Sequence, residues 1–134
     1  MPDTLELEVA TPERELVREQ VSELQLPGKN GYLGILPGHA PLLGLLGVGT
    51  LTYMAGGQKR YIAVHGGFLE VAEDVVRVLA DTAERAEEID IERAKAALQR
   101  SQEESLNPAL GVDPGAALAA MARAQARIAT AELK

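Results

Sequence analysis

The chain has 134 residues and a formal net charge of −7, which is enough for one domain with a real core plus an appendage but not for two large domains. Its acidity argues against a bare nucleic-acid surface, which needs clustered cations to displace counterions from phosphates. With no cysteine there is neither a disulfide framework nor a thiolate metal site.

Hydrophobic residues make up 46% of the chain and aromatics only 3%, so Leu, Val, Ile and Ala must fill the core through many small contacts. The first ten residues, MPDTLELEVA, carry no basic stretch followed by an apolar run, so no secretory signal or transit peptide is expected. The longest strongly apolar stretch, from Ala40 to Leu51, is too short to span a bilayer and is cut by glycines. These features predict a soluble or peripheral protein.

In chain order, the segment LELEVAT at residues 5 to 11 alternates strictly. Leu5, Leu7 and Val9 fall on one face and Glu6 and Glu8 on the other, as a half-buried strand requires. Short runs of the same kind begin at Val21, Gly31, Val48, Arg60, Gly67 and Val75, separated by the turn-like segments PGKNG, PGHAP, AGGQK, HGG and AED. Many short strands joined by tight turns predict an antiparallel sandwich or barrel.

The stretch GYLGILPGHAPLLGLLGVG, residues 31 to 49, is dense in glycine, but it lacks the Gly-Lys-Ser/Thr ending of a phosphate loop and opens no helix. Its glycines answer backbone demand, Pro37 and Gly38 suiting a turn whose second central residue needs positive φ. His39 follows that turn, and the only other histidine is His65. Two isolated histidines make no metal site, Ser22, Ser101 and Ser105 lack a nucleophile elbow, and a loop histidine bonded to its own turn accounts for His39. No metal site is predicted.

Beyond about Asp81 the period lengthens toward 3.6. Asp90 is placed to cap a helix through IERAKAALQRSQEESL, with Ile91, Ala94 and Leu98 along one stripe, and NPALG then breaks the chain. Asp113 followed by Pro114 signals a second helix, with Leu118, Met121 and Ile128 on one side. The expected architecture is α+β: a sandwich over residues 1–84 and a two-helix hairpin over 85–134. The seam between the helices reads as alanine (Ala94, Ala97, Ala117, Ala120, Ala122, Ala124). At about 0.8 kcal/mol per buried methyl group such helices hold each other weakly. Arg93 and Arg100 stand seven apart, and Arg123 and Arg127 four apart. If the helices fold back, the four guanidiniums either converge to suit a polyphosphate or pair locally with Glu92, Glu103 and Glu132.

The motifs GILPGHAPLL from Gly34, YIAVHGGFLEV from Tyr61 and VLADTAERAEEIDIERAKAAL from Val78, in this order and followed by an alanine-rich hairpin, resemble the epsilon subunits of rotary ATP synthases over nearly the whole chain. The resemblance implies a sandwich of about ten strands at the foot of the central stalk, at the cytoplasmic face of the plasma membrane. Its partners there would be the gamma subunit and the ring of proteolipid subunits.

By the same resemblance the loop of Asn30, Gly31 and Tyr32 faces the ring, while His39 and Leu42 belong to the gamma-facing surface. The hairpin is regulatory: folded down it permits ATP hydrolysis, and extended into the alpha/beta hexamer it blocks it. Some bacterial relatives bind ATP in the folded hairpin through an Ile/Leu-Asp-x-x-Arg-Ala motif, matched here by Ile89, Asp90, Arg93 and Ala94. The further positions fall on Glu84, Arg100, Arg123 and Arg127. ATP is thus implied as a regulatory ligand, and the subunit itself would not be catalytic. Two other readings compete: a stand-alone small-ligand sensor, and a small hydrolase using His39 with a strand carboxylate.

Overall fold

A computed structural model of the chain describes residues 3–134. Its first part consists of seven strands: β1 (Leu5–Ala10), β2 (Glu15–Val21), β3 (Glu23–Gly28), β4 (Gly31–Ile35), β5 (Leu42–Ala55), β6 (Gln58–Ala72) and β7 (Val75–Arg85). They form one hydrogen-bonded sheet in the order β2-β1-β7-β6-β5-β3-β4, curled around a single core to which every strand contributes. All pairs are antiparallel except β1 with β7, which run parallel, so the sheet is mixed rather than purely antiparallel.

The count is seven rather than about ten because β5, β6 and β7, at 14, 15 and 11 residues, each run through both layers of the sandwich. The inward-facing parity of each changes midway. Leu46 faces the core in β5, and then Leu51 and Tyr53; Ile62 and Val64 do so in β6, and then Leu69 and Val71. In β7 Val76, Val78 and Ala80 are followed by Ala83. The change lies at one row across the sheet, where Gly66 and Gly67 take φ of 70° and 121°. A side chain at Gly67 would collide with the Leu79 carbonyl of β7, so the HGG segment is a bend inside one strand, not a turn between two.

Alternation does not single out β2, whose Leu16 and Val17 are both buried. The reason is a bulge: Val9 pairs with Val17 but Ala10 with Glu15, leaving Leu16 as the extra residue. The Arg85 guanidinium donates to the carbonyl of Leu16, satisfying a group the ladder gives up.

A 3₁₀ turn, Ala86–Glu88, leads to α1 (Ile91–Leu106) and α2 (Pro114–Glu132). Both start where the cap residues put them: Arg93 N donates to Asp90 Oδ1 at 3.1 Å and Ala116 N to Asp113 Oδ2 at 3.0 Å. Between the helices Gly111 takes φ of 78°, the left-handed conformation glycine accepts without strain.

It is α2 that lies on the sheet, against β5 and β6. Ala63 of β6, Ile89, Ile91 and Ala131 form a small apolar cluster there, and the Thr50 and Thr130 hydroxyls meet at 2.7 Å. The buried residues of α2 are Ala117, Ala124, Ala126, Thr130 and Ala131, and those of α1 are Ala94 and Ser101. The alanine seam is therefore present, although Ala97 and Ala120 are only half-buried and Ala122 is exposed. The expected larger stripe on α2 is not its core: Leu118 is 59% exposed, and Met121 and Ile128 are only half-buried.

Candidate functional site at the junction of sandwich and hairpin

A cavity of about 790 Å³ opens where the helical hairpin meets the sandwich. From the sandwich it is lined by Thr11, Glu13 and Arg14 of the β1–β2 turn and by Thr82, Ala83 and Glu84 of β7. The hairpin side supplies Glu88, Asp90, Arg93, Ala94, Ala96, Ala97, Arg100 and Arg127. Of the residues expected to form one site, Glu84, Asp90, Arg93, Ala94, Arg100 and Arg127 are brought together. Ile89 lies behind the wall, 6% exposed, in the apolar cluster with Ala63 and Ala131. Arg123 does not line the cavity.

Helical spacing explains the convergence. Arg93 and Arg100, two turns apart, share the cavity-facing side of α1, and the antiparallel return of α2 brings Arg127 to the same opening. The Arg127 Nε donates to Glu84 Oε1 at 2.6 Å, a charge-assisted bond that ties α2 to β7. Among the described residues Arg127 is the one of the four hairpin arginines in an ion pair, and Glu84 is its partner rather than Glu92, Glu103 or Glu132. Asp90 spends one carboxylate oxygen on its cap.

On the opposite wall Arg14 forks onto Glu88, with both N–O distances 2.9 Å. The guanidinium beside it holds the Glu88 carboxyl below its ordinary range. Arginines that converge in an opening of this size fit a polyphosphate ligand of nucleotide dimensions. Among the described residues no group of three His, Asp or Glu side chains is arranged to hold a metal ion.

Under α2 lies His65, 4% exposed and without a hydrogen-bond partner on either ring nitrogen. Burial pushes its pKa down to about 4, with Arg127 and Arg123 adding to the effect and Glu84 opposing it. The imidazole is therefore held neutral against the helix. His39 behaves differently, for its Nδ1 lies 2.7 Å from the Ala40 carbonyl and its backbone N donates to Leu36 O at 3.1 Å. It closes the turn in which Gly38 takes φ of 85°.

The remaining expected contact residues lie on the sandwich surface. Asn30 is exposed in the β3–β4 turn and Gly31 at the start of β4, Tyr32 is 55% exposed, and Leu42 is half-buried against the core. The Tyr32 hydroxyl accepts from Thr50 N at 3.0 Å.

A surface that sequence reading missed lies on the outward side of the sheet, past the Gly66–Gly67 bend. Leu45 of β5, Phe68 of β6 and Leu79 of β7 stand in register across three strands. They are 47%, 61% and 57% exposed, with Leu43 beside them at 77%. Such a row of large apolar groups marks a docking surface. Only the pairing register assembles it, so no single segment of sequence carries the signal.

Residues 4–86 match the family model described as ATP synthase, Delta/Epsilon chain, beta-sandwich domain. An ATP synthase epsilon chain of Solibacter usitatus is 80% identical over 134 residues, 100% of each chain. Another, from Desulforamulus reducens, is 46% identical over 132 residues, 98% of this chain and 100% of its own. A chain in the cryo-EM structure of the Euglena gracilis mitochondrial ATP synthase, solved with OSCP, F1 and c-ring, has the same fold with a TM-score of 0.85 at 26% identity. That match covers 100% of this chain and 84% of the other.

Proposed function

The chain belongs to the family of ATP synthase epsilon chains, and from that membership we propose that it is a non-catalytic central-stalk subunit whose helical hairpin regulates ATP hydrolysis. Residues 1–84 are the fixed base and residues 85–134 the movable part. The exposed row of Leu43, Leu45, Phe68 and Leu79, with His39 and Leu42 at its margin, docks on the gamma subunit, and the turn of Asn30, Gly31 and Tyr32 meets the proteolipid ring. The subunit is thereby held, peripherally, at the cytoplasmic face of the plasma membrane. Among the described residues no helix is long and apolar enough to cross a membrane.

The hairpin rests on the sandwich through a small cluster, Ile89, Ile91 and Ala131 against Ala63 with the Thr130 hydroxyl against that of Thr50, and that is the single observation carrying the regulatory reading. A contact this small is readily undone, and in the released state the hairpin extends toward the alpha/beta hexamer and blocks hydrolysis. The second helix brings only Arg123, Arg127 and Lys134 as cations, so its electrostatic grip on an acidic partner is modest and inhibition mild.

ATP is the ligand of the junction cavity. Asp90 and Arg93 shape the nucleoside end, while Arg100 and Arg127 neutralise phosphates and Arg123, one turn from Arg127, adds positive potential. A ligand that binds only the docked hairpin stabilises it by about 2.7 kcal/mol at a hundredfold excess over Kd. For a lightly held element that decides its position: abundant ATP keeps it down, and depletion releases it.

Calorimetric titration of the full chain with ATP tests this, beside an Arg123→Ala, Arg127→Ala double variant. Saturable binding that the double variant loses is expected, with no ATP turnover by either protein. Identical responses of the two would reduce the arginines to surface charge. Turnover lost on replacing Asp90 or Arg93 would refute a non-catalytic role.

A further inference from the structure

We propose that Arg14, from the sandwich, is a further ligand-contacting residue of the junction cavity, so that a bound polyphosphate grips base and hairpin together. The inference rests on the nucleotide-site reading above and extends it to a residue outside the hairpin.

Arg14 stands in the β1–β2 turn, which Thr11 braces. Thr11 N donates to Arg14 O at 2.8 Å, and the backbone nitrogens of Glu13 and Arg14 both donate to Thr11 Oγ1 at 3.3 Å. From this anchored position its side chain crosses to Glu88 in the 3₁₀ turn, and both members of the pair line the cavity.

Charge arithmetic across the lining points to a role beyond tying the turn. Arg14, Arg93, Arg100 and Arg127 face Glu13, Glu84, Glu88 and Asp90, a balanced set. Two of those carboxylates are engaged by Arg127 and Arg14. Among the lining residues contributed by the sandwich strands and their turn, Arg14 is the one cation. An anion held by Arg93 and Arg100 alone would contact only α1, and would travel with the hairpin when it leaves. An anion that also takes the Arg14 fork is bound in the docked state and not in the released one. A ligand needs that differential affinity to move the equilibrium at all.

The Arg14–Glu88 pair suits such an exchange. Its side chains are 44% and 35% exposed, so burial does not lock the two ions together. A guanidinium has five N–H donors, and the fork onto Glu88 uses two of them, leaving donors for phosphate oxygens.

Calorimetric titration of the full chain with ATP, and with inorganic triphosphate as a second probe, separates the roles through two variants of opposite expected sign. Arg14→Gln is expected to weaken both ligands about tenfold, the loss of one charge-assisted contact. Glu88→Gln frees Arg14 and removes a carboxylate from the anion's surroundings, so it binds both ligands at least as tightly as the unmodified chain. Thermal melting without ligand reports on the loss of the Arg14–Glu88 pair in either variant and, for Glu88→Gln, also on the contact of Glu88 with Arg85, whose backbone N donates to it at 3.0 Å. If the two variants weaken binding alike, Arg14 only ties the turn, and the proposal falls. If the unmodified chain binds ATP and Arg14→Gln matches it, the proposal falls while the hairpin site stands. If the unmodified chain binds neither ligand, both readings fall.

Discussion

Inside the sandwich Leu5, Leu7, Leu26, Leu51, Ile62 and Leu69 are each at most 1% exposed, whereas the side chains buried where the hairpin meets it are Ala63, Ala126, Ala131, Thr130, His65 and Ile89. At about 0.8 kcal/mol per buried carbon, a leucine side chain contributes several times what an alanine does. The base is thus held by bulk apolar burial. Docking of the hairpin depends on a few specific items: one hydroxyl pair and two guanidinium–carboxylate pairs, Arg127 with Glu84 and Arg14 with Glu88, while the unpartnered His65 imidazole beneath it is tolerated only in its neutral form. A single chain can in this way carry a rigid part and a releasable part, since stability is set locally by what each interface buries.

The largest expected effect sharpens that contrast. Leu51→Ala should destabilise the sandwich by about 3 kcal/mol, as large-to-small core changes do, seen as a lower midpoint in urea unfolding. An Ala124→Leu variant, which wedges the helical seam apart, should leave that midpoint nearly unchanged while exposing the hairpin to limited proteolysis.

Acid gives the next effect. The folded-state pKa of His65 is about 4 against an ordinary 6.5, so the docked state binds fewer protons than the released one. Its contribution to docking is complete above pH 6.5 and is lost as pH falls from there toward 4. Hairpin protection measured across that range should decline, and His65→Leu should remove the slope over it. An unchanged slope in the variant would assign the pH response to other groups.

The smallest effect is at the hydroxyl pair. Thr130→Val keeps the shape of the side chain but removes both the 2.7 Å contact with Thr50 and the bond to the Ala126 carbonyl. Docking should weaken by about 1 kcal/mol, read as faster amide exchange near the end of α2 with the strands unaffected.

The sequence made the helices readable because Asp90 and Asp113 announce their starts chemically, and most strands because one face is buried and the other wet. It hid β2 because a bulge at Leu16 breaks alternation. It also split β6 in two, because the glycines that bend a strand are the same residues that end one. The arginine cluster on the hairpin was legible through helical spacing. Arg14 was not, since it reaches Glu88 across a separation of 74 residues that only the closed fold spans. His65 carried no signal of its own; its neutrality comes from α2 lying over it.

Hydrogen–deuterium exchange on the intact protein, with and without ATP, bears most directly on the two-part account. Amides of α1 and α2 should exchange well ahead of those in β5, β6 and β7, and ATP should slow the helices while leaving the strands as they were. Helices protected as strongly as the strands in both conditions would contradict it, for the hairpin would then be no more releasable than the base beneath it.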